Sequence, residues 1–328
     1  MNALKTLCIV TLISFCALAD AKDIPLSYRT DVSEFIYHVS HTYHIPPQEL
    51  AALFNQVQIQ PQIIDAIERP YEAKPWAQYR AAFITKERTA AGAKFWKEHA
   101  RDLQRAEKQY GVPANIIVAI LGVETNYGQR QGQYRVIDAL STLAFNYPAR
   151  APFFRKELIE YLLLTRENKL DPLSLYGSYA GAIGQPQFMP SSYRHYAVDF
   201  NHDGRSDLRN STTDVIGSVA NYFKQNGWRY QGPVVQRAVV AHHRPTHVDT
   251  TARVPSYSLA QLHQWGITPK TSIQTTDKLG VIVFEPANAK TVWIAHPNFY
   301  VITRYNTSKQ YAMAVYELSE AIKKEHLG

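Results

Sequence analysis

Cysteine is almost missing from this chain: of 328 residues, only Cys8 and Cys16 carry a thiol, and both lie near the start. The rest of the sequence can therefore build no disulfide framework, no cysteine zinc knuckle and no thiol nucleophile. Long apolar runs are missing too. Past the first residues none approaches the roughly 20 needed to cross a bilayer as a helix. Lysines and arginines outnumber acids, giving a net charge of +7, but they form no block. Scattered charge of this kind argues against a nucleic-acid partner. It suits attraction to an anionic polymer or lipid surface, or simply solubility. Internal repeats and low-complexity tracts are also lacking. What remains is an ordinary globular composition, 45% hydrophobic and 19% charged, in a chain long enough for one large domain or two smaller ones.

The first 19 residues read differently. Lys5 supplies a short positive start, Thr6–Phe15 is apolar, and Ala17-Leu18-Ala19 has the small-x-small form of an export cleavage site. A competing reading places a lipid on Cys16, but Phe15 stands where a small residue is expected. Cleavage after Ala19 is the favoured expectation. Exposure to a membrane would then follow only if Cys16 were lipidated.

Helical spacing of apolar residues and proline punctuation predict helices within Glu34–Val39, Gln48–Phe54, Thr89–Tyr110, Phe153–Arg166, Ser191–Ala197, Asp214–Gln225 and Tyr311–Ile322. After Trp228 the texture changes. Val234–Val240, Lys278–Phe284 and Thr291–Ala295 are β-branched runs between polar turns, and read as strands. The expected class is α+β, predominantly helical. Expected divisions are a signal over 1–19, a helical region over 20–112, a core over 113–232, a small β-containing insertion over 233–296 and a return to the core over 297–328.

Pro113–Tyr127 reads as a further helix, with Gly128 left-handed just past its end. Ile117, Ile120 and Glu124 follow one another at offsets of three and four, on a stripe facing the interior. A carboxyl there is desolvated and lies near the negative end of the helix dipole. Both effects disfavour ionisation, as a general acid for glycosidic cleavage requires. The plainer alternative is a solvated residue in a last helical turn.

Asp199-Phe200-Asn201-His202-Asp203-Gly204 matches the opening of an EF-hand loop. Side chains at Asp199, Asn201 and Asp203 would offer hard oxygens, Gly204 the sharp turn and Arg205 its carbonyl. Asn210 stands at the twelfth position, normally a glutamate, so Asp207 or Asp214 is expected to supply charge. A metal-free turn rich in Asp and Asn is the alternative. His242, His243 and His247 fit no zinc spacing and read as loop histidines.

These pieces, with several long blocks in fixed order, resemble the membrane-bound lytic murein transglycosylase B family. The blocks are Ile116-Ile117-Val118, Gly122-Val123-Glu124-Thr125, Asp138–Pro148, Gly177–Tyr193, Ile216–Phe223, Pro297-Asn298-Phe299-Tyr300 and Ile302–Asn306, within a similarity running from about Lys74 onward. Ala149-Arg150 departs from a frequent pair of arginines after the Asn-Tyr-Pro block.

The resemblance implies a lysozyme-like core, a structural Ca2+ in the Asp199–Asp214 loop and no organic cofactor. It makes Glu124 the catalytic acid and base, and places Ser178 and Asn306 near it. Tyr79, Gln187, Phe188, Tyr222, Tyr305 and Tyr311 become residues of a glycan groove, where aromatic rings suit the C–H faces of sugars. The implied partners are peptidoglycan strands and other cell-wall enzymes, in the periplasm, with an outer-membrane lipoprotein as the less favoured form. The implied reaction cuts the MurNAc–GlcNAc bond without water and leaves a 1,6-anhydro end. A hydrolytic muramidase and a calcium-stabilised wall-binding protein without activity are the alternatives.

Overall fold

Val32, Phe35, Ile36 and Val39 recur at helical intervals. The computed structural model, which describes residues 25–241, 247–284 and 291–328, buries all four in α1 (Thr30–Tyr43). His44 ends that helix in the left-handed region, and the Pro46-Pro47 step opens α2 (Pro47–Phe54). Phe35 meets Phe54 edge-on at 5.8 Å, giving a small unit that ends at Val57 its own aromatic contact. The export signal and Cys16 lie outside the described residues, as do His242 and His243.

The second unit runs from Gln58 to Gly328, so the compact division falls well before residue 112. Proline opens α3 (Pro61–Ile67) and caps α4 (Trp76–Phe83), with a 3-10 turn at Tyr71–Ala73 between them. The single helix expected over Thr89–Tyr110 is two, α5 (Lys86–Glu98) and α6 (Ala100–Tyr110). His99, at φ −111° and ψ 22°, leaves helical geometry and separates them. Thr85 caps α5 by accepting the Arg88 N–H.

The centre of the unit is α7 (Ala114–Thr125). Every residue from Ala114 to Gly122 is buried, so the helix is enclosed on all sides rather than along one stripe. It packs against α5, α6, the helix α11 (given below) and the C-terminal helix. The helix ends at Thr125, two residues earlier than the spacing predicts. Asn126, Tyr127 and Gly128 all take positive φ, at 50°, 61° and 85°. That sharp exit turns the Tyr127 ring back between two helices. A Cβ on Gly92 or Gly122 would stand 2.5 or 2.7 Å from the Tyr127 hydroxyl, so only glycine admits it. The hydroxyl then donates to the Arg88 carbonyl at 2.7 Å.

A two-residue antiparallel ladder joins β1 (Tyr134–Arg135) to β2 (Tyr176–Gly177), bracketing α8 (Val136–Asn146) and α9 (Ala151–Glu167). After β2 come α10 (Pro190–Tyr196) and α11 (Thr212–Gln225). The predicted β-containing stretch holds a four-stranded antiparallel sheet of β3 (Val235–Val240), β4 (Ile267–Pro269), β5 (Gly280–Phe284) and β6 (Thr291–Ala295), in the order β4-β3-β6-β5. Register runs from Gly280 opposite Ala295 to Phe284 opposite Thr291. With α12 (Leu259–Gln264) the sheet encloses a core of Leu262, Ile267, Leu279, Val281 and Ile294. The chain then returns through α13 (Pro297–Tyr305) and α14 (Lys309–Leu327), the latter packed on α4, α5 and α7. Among the described residues, no helix is long and apolar enough to cross a membrane.

Candidate active site

Glu124 is the penultimate residue of the enclosed helix α7, and α14 brings Tyr311 to it across 187 positions of sequence. The Tyr311 hydroxyl donates to Glu124 Oε1 at 2.5 Å. Burial pushes the Glu124 carboxyl up to about 7; the Tyr311 hydrogen bond opposes that rise, and the charge of Glu72 adds to it. The residue as a whole keeps partial solvent access, while its carboxyl is crowded by protein. An acid that holds its proton near neutrality and is still reachable can give it to a leaving group.

Phenols surround it. Tyr79 of α4 is 1% exposed and Tyr311 is 3% exposed. Burial first, and the nearby Glu124 charge among the further causes, drive the acidities of Tyr79, Tyr305 and Tyr311 upward, so all three remain neutral donors. The Tyr305 ring stacks on Tyr311 at 6.5 Å and its hydroxyl donates to the Pro186 carbonyl at 2.6 Å. Tyr222 donates to the Arg304 carbonyl at 2.6 Å, and Phe188 packs between Tyr222 and Tyr305 at 5.5 and 5.7 Å. Phe188 and Tyr222 are both buried. They stiffen the ground beneath the site, with the Tyr222 phenol committed to backbone.

The Gly-rich segment after β2 folds back on itself. Ser178 N–H donates to the Ala182 carbonyl at 2.9 Å, and Ile183 exchanges bonds with Phe188. The Ser178 hydroxyl oxygen accepts the amides of Ala180 and Ala182 at 3.2 and 3.1 Å, shaping its own loop, and Glu124's bond is to Tyr311 instead. Gln187 sits at φ 50° and is held there by bonds from its amide to the carbonyls of Gly184 (2.9 Å) and Gln131 (3.0 Å). Asn306 donates to Glu72 Oε1 at 2.9 Å, while its carbonyl accepts Ser308 N–H at 3.0 Å.

Two contributors escape the sequence reading. Thr125, 1% exposed, donates to the Gln185 carbonyl at 2.7 Å and accepts Gly128 N–H at 2.9 Å. It ties the end of the Glu124 helix to the Gly-rich segment. Glu72, on the 3-10 turn, is a second carboxylate bearing on the site, and no periodicity marks it. Arg150, alone where a pair is frequent, lies over the Phe153 ring at 4.6 Å. His247 packs edge-on to Trp265 at 4.8 Å.

The metal loop has the expected oxygens, but Asp214 differs. Asp199 accepts the amides of Asp203 and Gly204, Asn201 accepts Asp203 N–H, and Asp203 accepts Arg205 N–H. These turns gather the hard oxygens of Asp199, Asn201 and Asp203, with Asn201 and Asp203 exposed, in a manner that fits an oxygen-seeking cation. Asp214 is wholly buried. Its two oxygens accept the amides of Phe200, Asn201 and Asp207 at 2.8, 3.0 and 3.0 Å. It latches the loop to the first turn of α11 through three backbone amides, two on Oδ1 and one on Oδ2. Among the described residues, no group of three or more His, Cys, Asp or Glu side chains could hold a metal ion. A cavity of about 530 Å³ lined by Arg253, Arg304 and Lys309 lies beside the Asn306 segment and does not include Glu124. Its lining contains no carboxylate.

Residues 27–320 match the family model described as the transglycosylase SLT domain. The chain is 45% identical over 247 residues to membrane-bound lytic murein transglycosylase B of Escherichia coli strain K12, covering 75% of this chain and 67% of that protein. The catenated lytic transglycosylase SltB1 of Pseudomonas aeruginosa superposes with a TM-score of 0.87 at 49% identity, over 91% of this chain and 98% of that one. Slt35, an Escherichia coli lytic transglycosylase solved in complex with calcium, gives 0.85 at 38% identity, over 92% and 96%. The mostly helical fold with small sheets is thus of the lysozyme-like transglycosylase type. A chain matched by the family model over residues 27–320, by sequence over three quarters of its length and by structure over 91% of it belongs to the transglycosylase SLT domain family.

Proposed function

We propose that this protein is a peptidoglycan lytic transglycosylase in which Glu124 serves as acid and then as base. The observation carrying this reading is the Glu124 proton, retained to about 7 by burial beside a single phenolic donor. Glycosidases that use water employ two carboxylates, one of them to activate the water or attack the sugar. Here Glu72 is engaged with Asn306, and Glu124 is the one carboxyl assigned to the reaction. It protonates the oxygen linking N-acetylmuramic acid to N-acetylglucosamine, and the C1–O bond breaks with its electron pair leaving on that oxygen. Positive charge develops at C1 of the muramic acid. The Glu124 carboxylate, stabilised by the Tyr311 hydroxyl, takes the proton of the same sugar's C6 hydroxyl. O6 then bonds to C1, giving a 1,6-anhydro end and restoring the Glu124 proton. Every atom is accounted for without water.

Tyr79, Tyr305 and Gln187 border this chemistry, and Asn306 and Ser178 frame it. A structural Ca2+ would be held by the side-chain oxygens of Asp199, Asn201 and Asp203 and the Arg205 carbonyl. It would stiffen the loop that precedes α11. Slt35, solved with calcium, supports this assignment. The working place is the periplasm, reached through the export signal, with glycan strands as substrate and other cell-wall enzymes as partners. Digestion of purified sacculi followed by mass analysis tests the reading. Muropeptides should carry anhydro ends, one water lighter than reducing ends. Reducing ends alone would instead make the protein a hydrolase. Glu124→Gln should abolish release of either.

A further inference from the structure

Glu72 has no part in the chemistry above, yet its geometry is specific. A carboxylate only accepts hydrogen bonds and a backbone N–H only donates. Asn306 Nδ2 donates to Glu72 Oε1 at 2.9 Å, and Asn306 Oδ1 accepts Ser308 N–H at 3.0 Å. Together the two bonds leave the amide one orientation and, among the described residues, one Nδ2–H unspent. Gln310 of α14 reaches the carbonyls of Glu72 and Lys74 at 3.4 and 3.1 Å, fastening the turn to the helix that carries Tyr311.

We propose that Glu72 is a positioning residue for the reaction at Glu124, its carboxylate locking the Asn306 amide so that the free Nδ2–H is offered to a sugar acceptor such as an acetamido carbonyl. The role rests on the reading of Glu124 as the acid. The titratable groups bearing on Glu124 are Tyr311 of α14, Tyr79 of α4, Tyr305 of α13 and Glu72. Burial keeps the phenols neutral, whereas the charge of Glu72 favours the protonated form of Glu124. One carboxylate thereby serves twice, through a hydrogen bond and through its field.

Full-length Glu72→Gln, Glu72→Ala and Glu124→Gln, assayed on soluble uncross-linked glycan strands across pH, separate the possibilities. Glutamine keeps an acceptor oxygen without charge; alanine loses both. In both Glu72 variants the alkaline limb of kcat/KM should move to lower pH. On the acid plateau Glu72→Ala should lose roughly tenfold in kcat, the scale of one lost hydrogen bond to a charged group. Glu72→Gln should recover most of that loss. An unmoved limb in Glu72→Gln, or wild-type turnover in Glu72→Ala, overturns the assignment. An active Glu124→Gln would overturn the underlying reading instead, so the two failures are distinct.

Discussion

Replacing Glu124 by glutamine should make the protein more stable at alkaline pH while removing its activity. The folded carboxyl titrates near 7 against an ordinary value of 4.5, so between those limits the folded state holds a proton that the unfolded chain has released. Stability therefore falls as pH rises through this window, and the loss is complete above 7. At 1.36 kcal/mol per pH unit the ceiling is about 3 kcal/mol. Partial solvent access at the cleft reduces it to roughly 1–3 kcal/mol. Glutamine never ionises, and its carbonyl can still accept the Tyr311 hydroxyl. The variant should match wild type at pH 4.5 and exceed it at pH 8. With an unfolding entropy of ~2.1 cal/mol/K per residue over the Gln58–Gly328 unit, the gain corresponds to about 2–5 °C in Tm. Thermal melts of both proteins at half-unit pH steps would reveal it. Parallel curves across the whole range, or a variant less stable at pH 8, would refute the claim that burial holds this proton.

Other consequences are equally concrete. Tyr311→Phe removes the bond that opposes the upward shift of Glu124, so the alkaline limb of activity should move to higher pH. Its kcat should fall roughly 10- to 100-fold because the carboxylate stage loses a donor; a steady-state pH profile reads both effects. Thr125→Val leaves the Gln185 carbonyl and Gly128 N–H without their partner, and urea titration should register a loss of about 1–3 kcal/mol. Excess calcium should raise the Tm of wild type, by the equivalent of about 2.7 kcal/mol at a hundredfold excess over Kd. Asp203→Ala should abolish that increment. Asp214→Asn should be destabilised even in chelator, because an amide NH2 would face backbone N–H donors. Equal melting of Asp214→Asn and wild type in chelator would contradict its role as a latch.

Local sequence carried the elements whose chemistry is local. The strands Val235–Val240, Gly280–Phe284 and Thr291–Ala295 were readable from β-branched runs, and α9, α10 and α11 from apolar spacing. β4 was not, since Ile267-Thr268-Pro269 is strand only because β3 lies beside it. The helix α7 stops short of the expected Tyr127 because Asn126, a residue that tolerates the left-handed region, ends it there, and Tyr127 follows with positive φ, which its own side chain disfavours. Glu124 was legible because a lone acid in an apolar run is conspicuous. Its setting was not, for Tyr311 and Glu72 reach it through contacts that no window of sequence spans. Asp214 sits where a loop ligand would, and only the fold reveals that backbone amides have already claimed it.

The meeting of Glu124 with Tyr311 places the two halves of the chemistry on segments made far apart in time during translation. A ribosome that has finished α7 has synthesised the acid but not the donor that steadies its anion, and α14 must still be added and docked against α4, α5 and α7. A chain that ends before α14 therefore lacks the donor that steadies the Glu124 carboxylate. The Glu124–Tyr311 pair is complete only when the late helix packs on the early one.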